Sequence, residues 1–398
     1  MTDKRRFASS TESVHAGTDR KRPHHTLAST IAQTATFTFD DSADLERYMR
    51  GEDPDPEREE YGRYGNPTVR EVERRVATLE GADDAVAMAS GMGAISTAAL
   101  ALLQSGDHVV LFRDCYRRTR QLVTRTLQRF GITHTIVPPA DLDALDAAIT
   151  PATRLVIAES PTNPYLFCTD LAELAARNKA RGRIRTLVDA TFATPVNCRP
   201  LAEGVDLVAH SATKYLAGHN DVLGGFVAGP SHLVSLIRDL RGVLGGVLDP
   251  HAAFLVGRGL KTLNVRVEKQ NATAHAVARF LEGHPGVSRV YYPGLPSHPS
   301  HAIAEKQMRG FGGVVSFEME GGRQSASRLV DACQLARIAP SLGGVETLIE
   351  QPALMSYFEL SDAELAEVGI APGLIRLSVG IEEAEDVISD LRAALDQI

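Results

Sequence analysis

The chain has 398 residues, more than one hydrophobic core usually serves, so two or more domains are expected. With 43% hydrophobic and 23% charged residues it has the make-up of a soluble globular protein, and its formal net charge of −8 lacks the basic footprint of a nucleic-acid or anionic-membrane partner. No apolar run is long enough to span a bilayer, and the N-terminus MTDKRRFASSTESVHAG lacks the apolar segment of a secretory signal, so a cytoplasmic location is expected.

Residues 1 to about 60 are polar and irregular and end in the acidic, proline-containing GEDPDPEREE, a composition that favours an extended arm or mobile loop. From Asn66 to Leu260, short apolar runs alternate with amphipathic helical segments such as LAELAARNKARG. The runs are DAVAMAS, HVVLF, THTIV, RLVIAE, RTLVDA and DLVAHS. That alternation predicts βα units and a mostly parallel sheet. Beyond about residue 260, VRVEKQNATAHAVARFLEGHP predicts a long helix stopped by Gly283 and Pro285. GVVSFEME and LIRLSVGIE then predict strands of a smaller α/β domain. Cys115, Cys168, Cys198 and Cys333 are scattered without a CxxC pair and no HExxH occurs, so neither a disulfide framework nor a metal site is expected.

In open parallel sheets, ligands sit beyond the carboxyl ends of the strands. The residues that follow the predicted strands form a coherent chemical set. DAVAMAS runs into Ser90, Gly91 and Met92 at the start of an apolar helix, where free amide groups offer a phosphate cup; a plain strand-to-helix turn is the alternative. HVVLF leads to Tyr116, whose face suits stacking on a ring, or which packs as an ordinary core tyrosine. RLVIAE leads to Asn163 in the proline-fixed SPTNP, where the amide also suits a bond to the turn backbone. RTLV ends at Asp189, a partner for a protonated pyridine nitrogen, unless it pairs with Arg185. DLVAH leads to Ser211, Thr213 and Lys214: two hydroxyls for a phosphate, or caps, and then an amine. A lysine beside a cationic cofactor and shielded from water has a lowered pKa and becomes a competent nucleophile.

SATK also fits the S-x-x-K of serine acyl enzymes, but neither S-D-N nor K-T-G accompanies it. SGMGAIS lacks the last glycine of a dinucleotide fingerprint and is expected to lie well into the sheet, not at its first βα turn. A protein that binds pyridoxal 5′-phosphate (PLP) without turnover remains compatible with the residue types.

Seven stretches together resemble the Cys/Met-metabolism family of PLP enzymes, which contains cystathionine γ-synthases, γ-lyases and β-lyases. They are YGRYGNPT, SGMGA, ESPTNP, VDATFATP, HSATKYLAGHNDVLGG, SLGGVETLIEQPA and LIRLSVG, in that order along nearly the whole chain. DCYRRTR, DATFATP and APSLGG are most similar to plant-type cystathionine γ-synthases. The resemblance implies an α/β, aspartate aminotransferase-like subunit of fold type I, usually a homotetramer of two active dimers. It implies a PLP-binding large domain over 66–260, a small domain over 261–398, and an arm over 1–65 reaching the neighbouring subunit. Lys214 matches the Schiff-base lysine, Asp189 the pyridinium partner and Tyr116 the stacking and catalytic tyrosine. Ser90, Gly91, Met92, Ser211 and Thr213 match the phosphate cup, Asn163 a cofactor contact, and Tyr61 and Arg63 the pair lent by the neighbouring subunit. Arg376 matches the fork for the substrate α-carboxylate, with Ser341 beside it.

The resemblance thus implies γ-chemistry on cystathionine or an activated homoserine. An O-acetylhomoserine sulfhydrylase or a methionine γ-lyase-like enzyme, in primary or specialised metabolism, is the alternative. Two departures stand out. Ala190 follows the pyridine aspartate where many members have asparagine. Arg117 and Arg118 replace small residues, so an anionic substrate or leaving group is expected, and Arg118 occupies the position of a cysteine typical of methionine γ-lyases, which argues against that activity.

Overall fold

The computed structural model describes residues 7–398 apart from 19, 22–24 and 56; residues 1–6 of the expected N-terminal arm thus lie outside the described residues. Strands β1 (Asp84–Met88), β2 (His108–Phe112), β3 (Thr133–Val137), β4 (Thr153–Glu159), β5 (Arg185–Asp189), β6 (Leu207–Ser211) and β7 (Gly225–Gly229) form one sheet. Its order is β1-β7-β6-β5-β4-β2-β3. Neighbours from β6 to β3 run parallel, while β7 is antiparallel to both β1 and β6. Every residue of β2 and β7 is buried, as expected for short apolar strands covered by helices on both faces.

The helices start and stop where local chemistry dictates. Asn66 Oδ1 accepts from Thr68 N at 2.9 Å, with Pro67 in the first turn, and opens the Pro67–Glu80 helix. Gly81, at φ 72°, closes it. Ser90 Oγ accepts from Gly93 N at 3.0 Å and caps the Gly91–Leu102 helix, whose Ala94, Ile95, Ala98 and Ala99 are buried in the core.

A second sheet joins β8 (Val287–Tyr291), β9 (Val314–Met319), β10 (Arg337–Ile338), β11 (Leu348–Glu350) and β12 (Leu374–Ser378) in the order β10-β11-β12-β9-β8. All its neighbours are antiparallel except β10 and β11. The Leu263–Glu282, Gly322–Ala332 and Ala384–Leu395 helices contribute Val277, Leu281, Leu329 and Leu391 to a core with Phe317 and Ile375. The predicted long helix is present.

The stretch expected as a loose arm is more ordered than its composition suggests. It holds short helices at Ser9–His15 and Ser42–Met49. Glu12 and Arg199 pair at 2.6 Å, both less than a tenth exposed. Arg58, within the acidic run, bridges Asp44 (2.6 Å) and Asp53 (2.9 Å), and Arg74 pairs with Glu57, so the run is tied down by ion pairs. Cys115, Cys168 and Cys198 are buried free thiols, and Cys333 is half-buried. Among the described residues, no helix is long and apolar enough to cross a membrane.

Candidate active site

The carboxyl ends of the central strands open into a cavity of about 300 Å3. It is lined by Ser90, Gly91, Met92, Tyr116, Asn163, Asp189, Ser211, Thr213, Lys214, Ser341 and Arg376. Residues from five strand ends of the large sheet (β1, β2, β4, β5 and β6) therefore meet Ser341 and Arg376 from the small-sheet half of the chain.

The Ser90–Met92 turn follows β1, the first strand in the chain, and so sits at the first βα turn rather than well into the sheet as expected; it lies against Ser211. A Cβ on Gly91 would stand 2.7 Å from Ser211 Cβ, so only glycine allows this approach. The first-turn amides of Gly91 and Met92 have no partner within their own helix, whereas Gly93 N is taken by the Ser90 cap. Thr213 Oγ1 accepts from Gly224 N at 3.1 Å, which fixes its side chain at the cavity wall.

Asp189 accepts from Thr191 N (3.0 Å) and Thr191 Oγ1 (2.5 Å), both on Oδ1. Burial raises its pKa and the two Thr191 bonds oppose that rise. Arg185 does not pair with it; Arg185 Nη1 lies 3.0 Å from Asp206 Oδ1 at the opposite end of β5. A strand places its ends far apart, which rules out the pairing with Arg185.

Lys214 Nζ donates to Ser341 Oγ at 2.7 Å. Burial lowers the lysine pKa to about 8, with further lowering from the Arg376 charge and opposition from Glu350. Ser341 stands at φ 98°, a backbone conformation that L side chains rarely adopt. Arg376 Nη2 donates to the Ser341 carbonyl (2.8 Å) and Nη1 to Asn163 Oδ1 (3.0 Å). Asn163 is thus engaged with a side chain and not only with its own turn. The Tyr116 ring is 43% exposed, and its backbone N donates to Glu159 Oε2 at 2.6 Å.

Several cavity residues escaped the sequence reasoning, among them the polar Glu159, Thr191 and Glu350. Glu159 closes the apolar β4 directly beside Asp189, so the argument that singled out Asp189 applied to it as well. Burial and the Asp189 charge push its pKa well above the usual carboxylate range. Thr191 follows Asp189 by two residues, a spacing at which a side chain readily bonds a carboxylate. Glu350 gave no local signal; it meets Arg376 through the pairing of β11 with β12.

Tyr61 and Arg63 do not join this cavity. They line a separate cleft with Gln33, Asn66 and Asp249, where the Arg63 guanidinium lies 4.7 Å from the Tyr64 ring centroid and donates to the Gly242 carbonyl. Arg117 and Arg118 diverge. Arg117 lines a small recess with Tyr116, Glu350 and Tyr357 and lies 3.6 Å from Glu359. Arg118 is exposed and donates to Gln121 at 2.6 Å.

The donor set fits a phosphorylated pyridine aldehyde on three independent counts. A glycine-only turn with free amides suits the phosphate, a buried carboxylate suits a protonated ring nitrogen, and a lysine held near pKa 8 suits the aldehyde. Comparison with known proteins agrees. The family described as Cys/Met metabolism PLP-dependent enzyme matches residues 10–396. A "Cystathionine gamma-synthase 1, chloroplastic" of Nicotiana tabacum is 46% identical over 388 residues, covering 97% of this chain and 71% of the relative. An L-methionine gamma-lyase of Fusobacterium nucleatum subsp. polymorphum is 42% identical, covering 99% of both chains. The crystal structure of a cystathionine gamma-lyase from Lactobacillus plantarum complexed with L-serine superposes with a TM-score of 0.91 at 37% identity, over 98% of this chain and 99% of that one. From motif order, fold and cavity alike, the chain belongs to the Cys/Met metabolism family of PLP-dependent enzymes.

Proposed function

We propose that this PLP-dependent enzyme is a trans-sulfuration catalyst of the cystathionine γ-synthase type, working at the γ-carbon of an activated homoserine or of cystathionine. The observation that carries the reading is Lys214, a buried amine at pKa about 8 bonded to Ser341 at 2.7 Å, in one cavity with Asp189 and Arg376. The 46% identity to a plant cystathionine γ-synthase favours γ-replacement among the family's reactions.

In this reading the Gly91 and Met92 amides, with Ser90, Ser211 and Thr213, hold the phosphate. Asp189 keeps a proton on the ring nitrogen, and Tyr116 covers the ring beside Asn163. Bound there, PLP supplies the sink for the electron pair left when the substrate Cα proton departs. Lys214 would anchor the cofactor and, as a free amine, would serve as the base for the Cα proton. Arg376 grips the α-carboxylate and fixes the substrate so that Cα faces Lys214. Loss of the γ-substituent needs a second proton removed from Cβ, and Lys214 or Tyr116 would return a proton to the departing group.

Tyr61 and Arg63 line a cleft without Lys214, which suits a pair that serves a neighbouring subunit. We infer a homotetramer of two active dimers, with 1–65 as the exchanged arm, 66–260 as the cofactor domain and 261–398 as the small domain. A cytoplasmic location fits this chemistry. Arg117, at the mouth beside Tyr116, suits an anionic γ-substituent; Arg118, bonded to Gln121, does not share that role. The 42% identity to an L-methionine gamma-lyase supports a second reading, γ-elimination.

Product analysis separates the two. Activated homoserine with cysteine yields cystathionine in the first reading, whereas a sulfur amino acid alone yields a 2-oxo acid and ammonia in the second. Lys214→Ala abolishes both reactions and the visible absorbance of the bound cofactor. Turnover retained in that variant overturns the assignment of Lys214.

A further inference from the structure

Arg376 enters the cavity already facing an anion. Its Nη2 lies 2.9 Å from Glu350 Oε1, and the two side chains are 5% and 3% exposed. The pair is built into the small sheet, because Glu350 and Arg376 are direct cross-strand partners of β11 and β12. Register keeps the two residues direct neighbours, so the carboxylate rests beside the guanidinium unless its side chain turns away. Asn163 and the Ser341 carbonyl take further guanidinium protons, while Nε has no partner. An incoming α-carboxylate thus meets a cation that a resident carboxylate already faces, inside a cavity that Glu350 itself lines. Two carboxylates brought to one site repel each other. At the amine end Glu350 acts with the opposite sign, since its charge favours the cationic form of the amine at Lys214.

We infer that Glu350 is a specificity-determining residue, a resident competitor for Arg376 that weakens the hold on bare carboxylates and spares ligands bringing an ammonium with the carboxylate. The inference deepens the proposed function and rests on its assignment of Arg376 to the α-carboxylate. Its consequence is directional. An amino acid is retained, while a 2-oxo acid, which keeps the carboxylate but has lost the amine, is released.

The test titrates PLP-loaded wild type and Glu350→Gln with propionate and with glycine, following the cofactor absorbance. Affinity for propionate is expected to rise roughly tenfold in Glu350→Gln, a modest effect for a close charge pair, and that for glycine by less than about threefold. Glu350→Asp, with its carboxylate drawn back by one methylene, is expected to give an intermediate ratio. If Glu350→Gln fails to load PLP, Glu350→Asp alone carries the test. A propionate-to-glycine ratio unchanged from wild type, or propionate bound more weakly, overturns the inference. Arg376→Ala separates the two levels. If it weakens both probes while the Glu350 variants leave the ratio unchanged, only the role of Glu350 is lost. If it weakens neither, the carboxylate grip is misassigned and the inference falls with it.

Discussion

Lys214 and Ser341 meet at 2.7 Å across the two sheet regions, and the serine that accepts this bond is held at φ 98°. A non-glycine residue in that backbone region is strained, by roughly 1–3 kcal/mol. Ser341→Ala and Ser341→Gly both remove the hydroxyl, but only glycine relieves the backbone. The glycine variant is therefore expected to be more stable than the alanine variant by about 1 kcal/mol, read from paired denaturant melts. Equal stability would remove strain from the account of this loop.

The Lys214 pKa of about 8, against 10.5 for an unburied lysine, owes most to burial and next to Arg376. Between these two values the unfolded chain binds more protons than the folded one, so this residue's contribution to stability rises with pH across that window. Below it the buried cation is a standing cost. Cofactor-free Lys214→Met is accordingly expected to be more stable than wild type at pH 7, by about 2 kcal/mol. The gap should close as the pH approaches 10.5. Melting temperatures across that range check both the sign and the window.

The same amine must be neutral to capture PLP. The rate of capture by the cofactor-free protein is expected to climb about tenfold per pH unit below pH 8 and to level off above it. Stopped-flow absorbance gives the profile directly. A flat profile from pH 6 to 9 would contradict a lowered lysine pKa.

Two glycines frame the phosphate turn. A Cβ at Gly91 would lie 2.7 Å from Ser211 Cβ, and one at Gly225 would lie 2.2 Å from the Ser90 carbonyl oxygen. Gly91→Ala is expected to cost about 1–3 kcal/mol and to weaken PLP binding more than tenfold, as judged by equilibrium titration. Gly225→Ala is expected to be worse on both measures, since its clash is with backbone that cannot rotate aside.

Asp189 is a buried carboxylate bonded only to Thr191 in the described contacts, with its pKa raised by burial. Asp189→Asn removes the charge and keeps an oxygen for Thr191. Stability is expected to stay within about 0.5 kcal/mol of wild type or to rise, while turnover falls by about two orders of magnitude or more. Turnover near the wild-type value would show that the carboxylate does not govern the ring nitrogen.

What the sequence made legible follows from how local each signal is. The apolar runs HVVLF, RLVIAE and RTLV reported their strands because burial on both faces leaves a continuous hydrophobic stretch. Residues at the ends of those strands and of DLVAH follow from topology alone, which is why Tyr116, Asn163, Asp189 and Lys214 stand out in the sequence. GFVAG gave no warning of β7, being short, glycine-bounded and antiparallel in an otherwise parallel neighbourhood. Glu350 was silent for a different reason. Its partner lies 26 positions away on another strand, and only register brings the two charges together. The ion pairs that tie down Glu12 and Arg58 were equally hidden, because composition counts charges without pairing them.

The placement of β7 between β1 and β6 has a consequence for the order of folding. Ser90 follows β1 and Ser211 ends β6, and Gly225 pairs with Met88 on one side and Ser211 on the other. The chain makes β1 early and must hold that edge open until β7, more than a hundred residues later, slots in beside it. Pairings so distant in sequence form late. Until that strand arrives, Lys214 and the phosphate turn belong to separate fragments. Competence to hold the cofactor therefore reports that β1, β7 and β6 have come together.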